Sequence, residues 1–125
     1  MANEEKLISF CSALDKSFKN VIEFMHGSWF EENYYSVLKK YKVAICIVFA
    51  FGIPEIFVTT SKVAYIRYHG LGSNWYRYNY TEKELNSYAG NIKALNTKEI
   101  YIYFNNDYKV HAIKNALKLK EILEV

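Results

Sequence analysis

The sequence is short of residues that break structure. It holds one proline and five glycines in 125 residues, which excludes collagen-like repeats and glycine- or proline-rich disorder. Cysteine is scarce as well. Cys11 and Cys46 lie in separate apolar stretches, so a disulfide scaffold or cysteine-rich metal module is excluded and both read as reduced core residues. No apolar run approaches the roughly 20 residues a membrane-spanning helix needs; the longest, Val43 to Ile53, reads as a buried strand and its exit. A basic-then-apolar leader is missing from Met1-Ala2-Asn3-Glu4-Glu5. The expectation is a soluble cytoplasmic protein with no membrane partner. Charge of one sign is also lacking: 16 basic residues face 13 acidic ones, for a net +3. Nucleic-acid binders usually carry a stronger basic bias, so the balance by itself argues weakly against one.

What the chain does have is apolar and aromatic, at 51% and 18% of residues. That composition suits one compact domain over 1–125. Leu7, Phe10, Cys11, Leu14 and Phe18 recur at helical spacing behind the capping residue Asn3, which predicts a first helix. Asn20 to Met25 reads as a strand. Ser28 with Glu31 resembles a capping box and predicts a helix from about Trp29 to Tyr41. Val43 to Ala50, apolar and β-branched, reads as a strand buried on both faces. Phe51 to Lys62 reads as a loop with one short helical turn, and Val63 to His69 as a strand. Gly70 to Tyr80 is a polar, aromatic loop. Thr81 and Glu84 form a second capping box, opening a helix whose stripe is Leu85, Tyr88, Ala89, Ile92 and Leu95. Glu99 to Phe104 is the last strand. Val110, Ile113, Ala116, Leu117, Ile122 and Leu123 mark the closing helix. Alternating helices and strands imply an α/β fold with a parallel sheet.

Strand alternation gives Val63 to His69 one face of Tyr65, Arg67 and His69, and Glu99 to Asn106 one face of Tyr101, Tyr103 and Asn105. Glu23 is the lone charge of its strand. A doubly wound sheet wants both faces apolar, whereas the inner face of a barrel holds polar groups near its mouth. Glu23 and Arg67 are candidates to pair there. Chemistry in parallel α/β folds sits at the carboxyl ends of the strands. Those ends read His26-Gly27-Ser28-Trp29, Phe51-Gly52, His69-Gly70 and Asn105-Asn106-Asp107.

These segments carry a resemblance. Glu23-Phe24-Met25-His26-Gly27-Ser28-Trp29, Tyr65-Ile66-Arg67-Tyr68-His69-Gly70 and Tyr101-Ile102-Tyr103-Phe104-Asn105-Asn106-Asp107, with His111 to Ala116 behind them, resemble the motifs of the YecE-like family, known as domain of unknown function 72. The resemblance spans nearly the whole chain. It implies a TIM-type (β/α)8 barrel of about 250 residues, of which this chain corresponds to the second half, strands five to eight with flanking helices. Two departures from the family pattern stand out: Met25 replaces a usual arginine, and Ala50-Phe51 replaces a frequent acidic residue.

Three functional readings follow. In the first, the barrel mouth is a hydrolase site for a phosphate-containing or nucleic-acid substrate. His26, His69 and Asp107 are then the catalytic candidates, with Arg67, Asn105, Asn106, Trp29, Glu23 and Trp75 binding substrate. No cofactor is implied. A metal held by His26, His69 and Asp107 has no compact ligand motif behind it, and Cys46, mid-strand among apolar neighbours, lacks the setting of a nucleophile. In the second, the segment Trp75 to Tyr80 is an aromatic binding loop, if its rings are exposed, or a lid, if they are buried. In the third, the chain is a non-catalytic half-barrel that binds a ligand or closes a barrel with a homodimer partner or a separately encoded N-terminal half.

Overall fold

The β-branched run in the middle of the chain forms the central strand. The computed structural model describes residues 1–125, apart from the side chain of Trp75. In chain order the elements are α1 (Glu4–Ser12), β1 (Val21–Ile22), α2 (Glu32–Tyr41), β2 (Ala44–Ala50), β3 (Val63–Gly70), α3 (Glu82–Lys93), β4 (Glu99–Phe104) and α4 (His111–Leu123), with short 3-10 turns at Gly27–Trp29, Trp75–Arg77 and Tyr108–Val110. The sheet order is β1-β2-β3-β4 and every pairing is parallel. All of β2 is buried, as its unbroken apolar run requires, whereas β3 alternates between buried and half-buried residues.

The helices cover one face of the sheet. Ile47, Phe49, Ile66 and Tyr68 project there against Leu85, Tyr88, Ala89, Ile92 and Leu119. A second cluster packs Leu7 and Cys11 of α1 and Tyr35, Val37 and Leu38 of α2 against Val43 and Ile45. The other face is left without a helix layer. It is also concave. Lys19, just before β1, reaches Glu99 at the start of β4, with Nζ 2.7 Å from Oε2. Three strand spacings in a flat sheet amount to about 14 Å, so the sheet curls like half of a barrel wall.

Four expectations fail locally. The first helix ends at Ser12 instead of running on to Phe18, because Asp15 forms its own turn: its carboxylate accepts from the Ser17 amide at 2.9 Å and its carbonyl accepts from Asn20 Nδ2 at 2.9 Å. Such local side-chain bonds compete with a helix. The first strand is only two residues long. The capping box at Ser28 and Glu31 does not form. Glu31 is the cap of α2, without a side-chain bond, while Ser28 Oγ meets His26 Nδ1 and accepts from the Ala2 amide. Residues 51–62 contain no helix; the extended segment instead packs Phe57 on Phe49, with 5.4 Å between rings, and anchors on Thr60, whose hydroxyl joins Val43 O and the Ile45 amide. The predicted box at Thr81 and Glu84 is present in full.

The closing helix turns a different face inward than its apolar stripe predicts. Ala112, Asn115 and Leu119 are buried, and Ile122 and Leu123 pack on the core. Ile113 and Leu117 are 61% and 62% exposed.

Candidate functional site

The site is assembled over β2. Its concave-face residues are short: Cys46, Val48 and Ala50 form a buried floor. Long side chains on either side therefore meet across it. Glu23, one residue past β1, accepts from Arg67 Nη1 at 2.7 Å through Oε1 and lies 2.8 Å from His69 Nε2 through Oε2. One carboxylate thus bridges a guanidinium on β3 and an imidazole two residues further along the same face. Arg67 Nε donates to Asn105 Oδ1 at 3.1 Å, which extends the network past β4. His69 is the most shielded member, with 13% of its side chain exposed, against 23% for Glu23 and 32% for Arg67.

Register explains the convergence. Val48 pairs with Arg67, which pairs with Tyr103, and Cys46 pairs with Tyr65, which pairs with Tyr101. Successive tiers of the concave face are therefore Cys46-Tyr65-Tyr101, Val48-Arg67-Tyr103 and His69-Asn105. Tyr65 stacks on Tyr103 at 5.1 Å. A hollow of about 240 Å³ between Val21, Glu23, Cys46, Tyr65 and Arg67 opens on this face. The Cys46 thiol is pushed up to about 12, first by burial and then by the Glu23 carboxylate, so it is protonated at neutral pH and is no nucleophile.

The predicted residues divide into two groups. Glu23, Arg67, His69 and Asn105 come together. The others take separate places. His26 is exposed and caps the turn Gly27–Trp29, accepting from the Ser28 amide at 3.1 Å. Trp29 stacks on Phe24 at 4.6 Å and belongs to the cluster under α1. Asp107 is exposed at the head of the turn Tyr108–Val110, with no capping bond. Asn106 is fully buried and donates to Tyr78 O and Asn115 Oδ1, each at 2.8 Å. It braces the loop after β3 and does not face the concave side. Trp75 lies outside the described side chains. Among the described residues no three His, Cys, Asp or Glu side chains gather as a metal site.

The aromatic loop is split. Tyr80 is buried and accepts from the Gly70 amide at 2.9 Å. Tyr78 donates to Glu84 at 2.9 Å, and burial together with that bond pushes its phenol up to about 12. Tyr76 is exposed, with Arg77 lying over both its ring and that of Tyr108. The root of the loop packs on the core through Tyr78 and Tyr80, and Tyr76 is open. Asn115 is a structural brace that the sequence did not single out. Its amide carbonyl accepts from the Tyr80 amide and Asn106, and its Nδ2 donates to Asn79. The available signal is an asparagine in the middle of an apolar helix, where a buried polar group needs partners. After β4 the backbone is strained. Lys109 and Val110 both have positive φ, 51° and 59°, and for a β-branched residue that conformation is costly.

No helix is long and apolar enough to cross a membrane among the described residues. A comparison with curated proteins gives no match. Solved structures do match. A DUF72 family protein from Thermotoga maritima superposes with a TM-score of 0.88 at 31% identity, over 98% of this chain and 52% of its own. A DUF72 family protein from Enterococcus faecalis gives TM-scores of 0.83 and 0.80 in two crystal structures, at 19% and 22% identity, over 97% of this chain. The chain spans about half the length of these relatives. The family model for the protein of unknown function DUF72 matches residues 1–125, and with the fold and the ordered motifs it establishes that the chain belongs to the DUF72 family.

Proposed function

We propose that the chain is one half of a TIM-type barrel that binds and hydrolyses a phosphate-containing ligand at its mouth, and that a second copy supplies the other half. The observation that carries the site is the Glu23 carboxylate bridging Arg67 and His69. The bridge holds the imidazole in one orientation, as a proton-transfer group requires. Arg67 spends Nε and Nη1 on Asn105 and Glu23, which leaves Nη2 to meet an anion. His26 and Asp107, on the turns that follow β1 and β4, are reserved for contacts made by a larger ligand.

The second copy is supported by the two edges of the sheet. Phe10 and Met25 are exposed beside β1, and Ile100, Ile113 and Leu117 beside β4. Apolar hollows of about 310 Å³ and 320 Å³ lie along the same two edges. A twofold axis along the barrel would set β1 of each copy beside β4 of the other, covering both edges and completing eight parallel strands.

Light scattering on a sizing column tests the assembly: a dimer is expected, and a stable monomer overturns the second copy. Phosphate binding by calorimetry and hydrolysis of p-nitrophenyl phosphate test the site. Arg67→Ala should abolish binding in a chain that still folds, its melting temperature lowered only by the loss of the Glu23 and Asn105 bonds, and His69→Gln should keep binding and abolish turnover. Unchanged binding in Arg67→Ala overturns the site.

A further inference from the structure

Every strand of the sheet is preceded by a lysine. Lys19 stands two residues before β1, Lys42 two before β2, Lys62 one before β3 and Lys98 one before β4. Because all pairings are parallel, these four cations reach the same end of the sheet, opposite the mouth. Lys16 and Lys39 join them. Together the six line one hollow of about 540 Å³, in which Glu99 is the sole carboxylate. The chain has 16 Lys and Arg residues against 13 acidic ones, so a near-neutral molecule concentrates its positive charge at one end.

Helix-dipole compensation accounts for part of this. Lys39 sits in the last turn of α2, where a cation is favourable. It does not account for Lys19, Lys62 and Lys98, which precede strands. Among the described residues only Lys19 is paired with this carboxylate, so most of the cations face the hollow without a counter-charge from its lining. All six lysines are exposed.

An aromatic ring stands among them. Phe18 is 70% exposed and lines both this hollow and a second one of about 190 Å³ beside it, which Lys16, Asn20 and Lys42 share. The second hollow adds Lys40 and Tyr41, and Lys40 and Lys16 lie 5.6 Å and 5.8 Å from the Tyr41 ring centre. The two hollows thus adjoin as a basic groove, with Lys16, Phe18, Asn20 and Lys42 common to both and the exposed ring among them. A compact anion would need only one pocket and no ring. A flat membrane surface would not follow a concave groove. Repeated phosphates with stackable bases use every feature: lysines track the backbone while a ring stacks a base without selecting it.

We propose that the amino-terminal end of the sheet binds single-stranded nucleic acid, with Lys16, Lys39, Lys42, Lys62 and Lys98 holding successive phosphates and Phe18 stacking a base. The site is separate from the mouth and does not depend on the assembly proposed above.

Fluorescence anisotropy of labelled dT12 and rU12 against the full chain tests it. Binding is expected at low salt, and log K should fall against log salt by about 0.7 for each phosphate neutralised. Lys42→Gln with Lys62→Gln should flatten that slope by about 1.4 and weaken binding at least tenfold. Phe18→Ala should weaken it about fivefold or more. Lys114→Gln with Lys120→Gln, removing equal charge from α4, should change neither slope nor ring dependence. Equal melting temperatures confirm that all variants are folded. No binding overturns the proposal. So does binding that responds equally to the α4 pair, which is net charge only. Inorganic polyphosphate competing equally while Phe18→Ala has no effect shows a plain polyanion site, and phosphatidylserine vesicles captured in preference to the oligonucleotides show a membrane surface; either result also overturns it.

Discussion

The two faces of the sheet are written by alternate residues of the same strands, yet they are solved differently. On the helix-covered face Phe49, Tyr68 and Phe104 stack in a ladder, at 4.5 Å and 4.6 Å between neighbouring rings, and the surrounding cluster is buried within this chain. On the concave face the same register places Val48, Arg67 and Tyr103 side by side, and Tyr103 remains 46% exposed. The first face is stabilised by area removed from water, which is indifferent to the identity of distant groups. The second is held by directional bonds among a few polar groups. One face makes the fold and the other is available for function.

The sharpest test of that division is the ladder. Phe49→Ala removes the ring that touches Tyr68, Tyr88 and Phe57, and truncation of a fully buried phenylalanine costs about 3–5 kcal/mol. Urea denaturation should show a fall of that size. A loss under about 1 kcal/mol would mean that the helix-covered face is not the core of the molecule and would remove the distinction between the faces.

Glu23→Ala probes the other face and should cost less, about 1–2 kcal/mol, because its pairs keep partial contact with water. The more telling readout is the thiol below it. Cys46 is 1% exposed and is shielded by burial and by the Glu23 carboxylate. Removing that carboxylate both uncovers the thiol and withdraws a negative charge that disfavours the thiolate. Iodoacetamide should therefore modify Cys46 faster in Glu23→Ala than in the wild type, while Cys11, buried in the other cluster, serves as the internal control. Equal acceleration of both thiols would report general loosening and would deny Glu23 its place over β2.

The concave face was more legible in the sequence than the ends of the helices. Period-two alternation exposes Tyr65, Arg67 and His69 as one face, and Glu23 stands out as the lone charge of its strand and a candidate to pair with Arg67. The bridging of Arg67 and His69 by one carboxylate was not legible, because it depends on the short floor of Cys46, Val48 and Ala50 and on the curl of the sheet. Asn106 was misplaced for a related reason. Its neighbour Asn105 lies on the concave face, so Asn106 necessarily points the other way and is claimed by Asn115 and Tyr78. At the helix ends, periodicity extended α1 to Phe18 because it registers apolar spacing and not the Asp15 turn. In α4 it marked Ile113 and Leu117 as apolar, which they are, without saying that nothing in this chain covers them.

The smallest expected effect lies at the base of the concave face, where Lys19 joins Glu99 across the curl. The Glu99 carboxyl is held below the usual carboxylate range, first by the hydrogen bond from Lys19 and next by that from Tyr101. A group with a depressed native pKa stabilises the fold above its unfolded value, here 4.5, and that contribution is lost as pH falls through the native value. Glu99→Gln should therefore melt slightly below the wild type at pH 7, and the two should converge as the pH falls below 4.5 and through the depressed native value. Both partners are well exposed, so added salt should shrink the gap at pH 7. A gap that widened toward acid would carry the wrong sign for a carboxylate stabilised in its charged form. A gap of several degrees, indifferent to salt, would show that the contact does more than link two solvated side chains: it would then fix the curvature of the sheet, and the concave face would owe its shape to this pair as well as to its hydrogen-bonded strands.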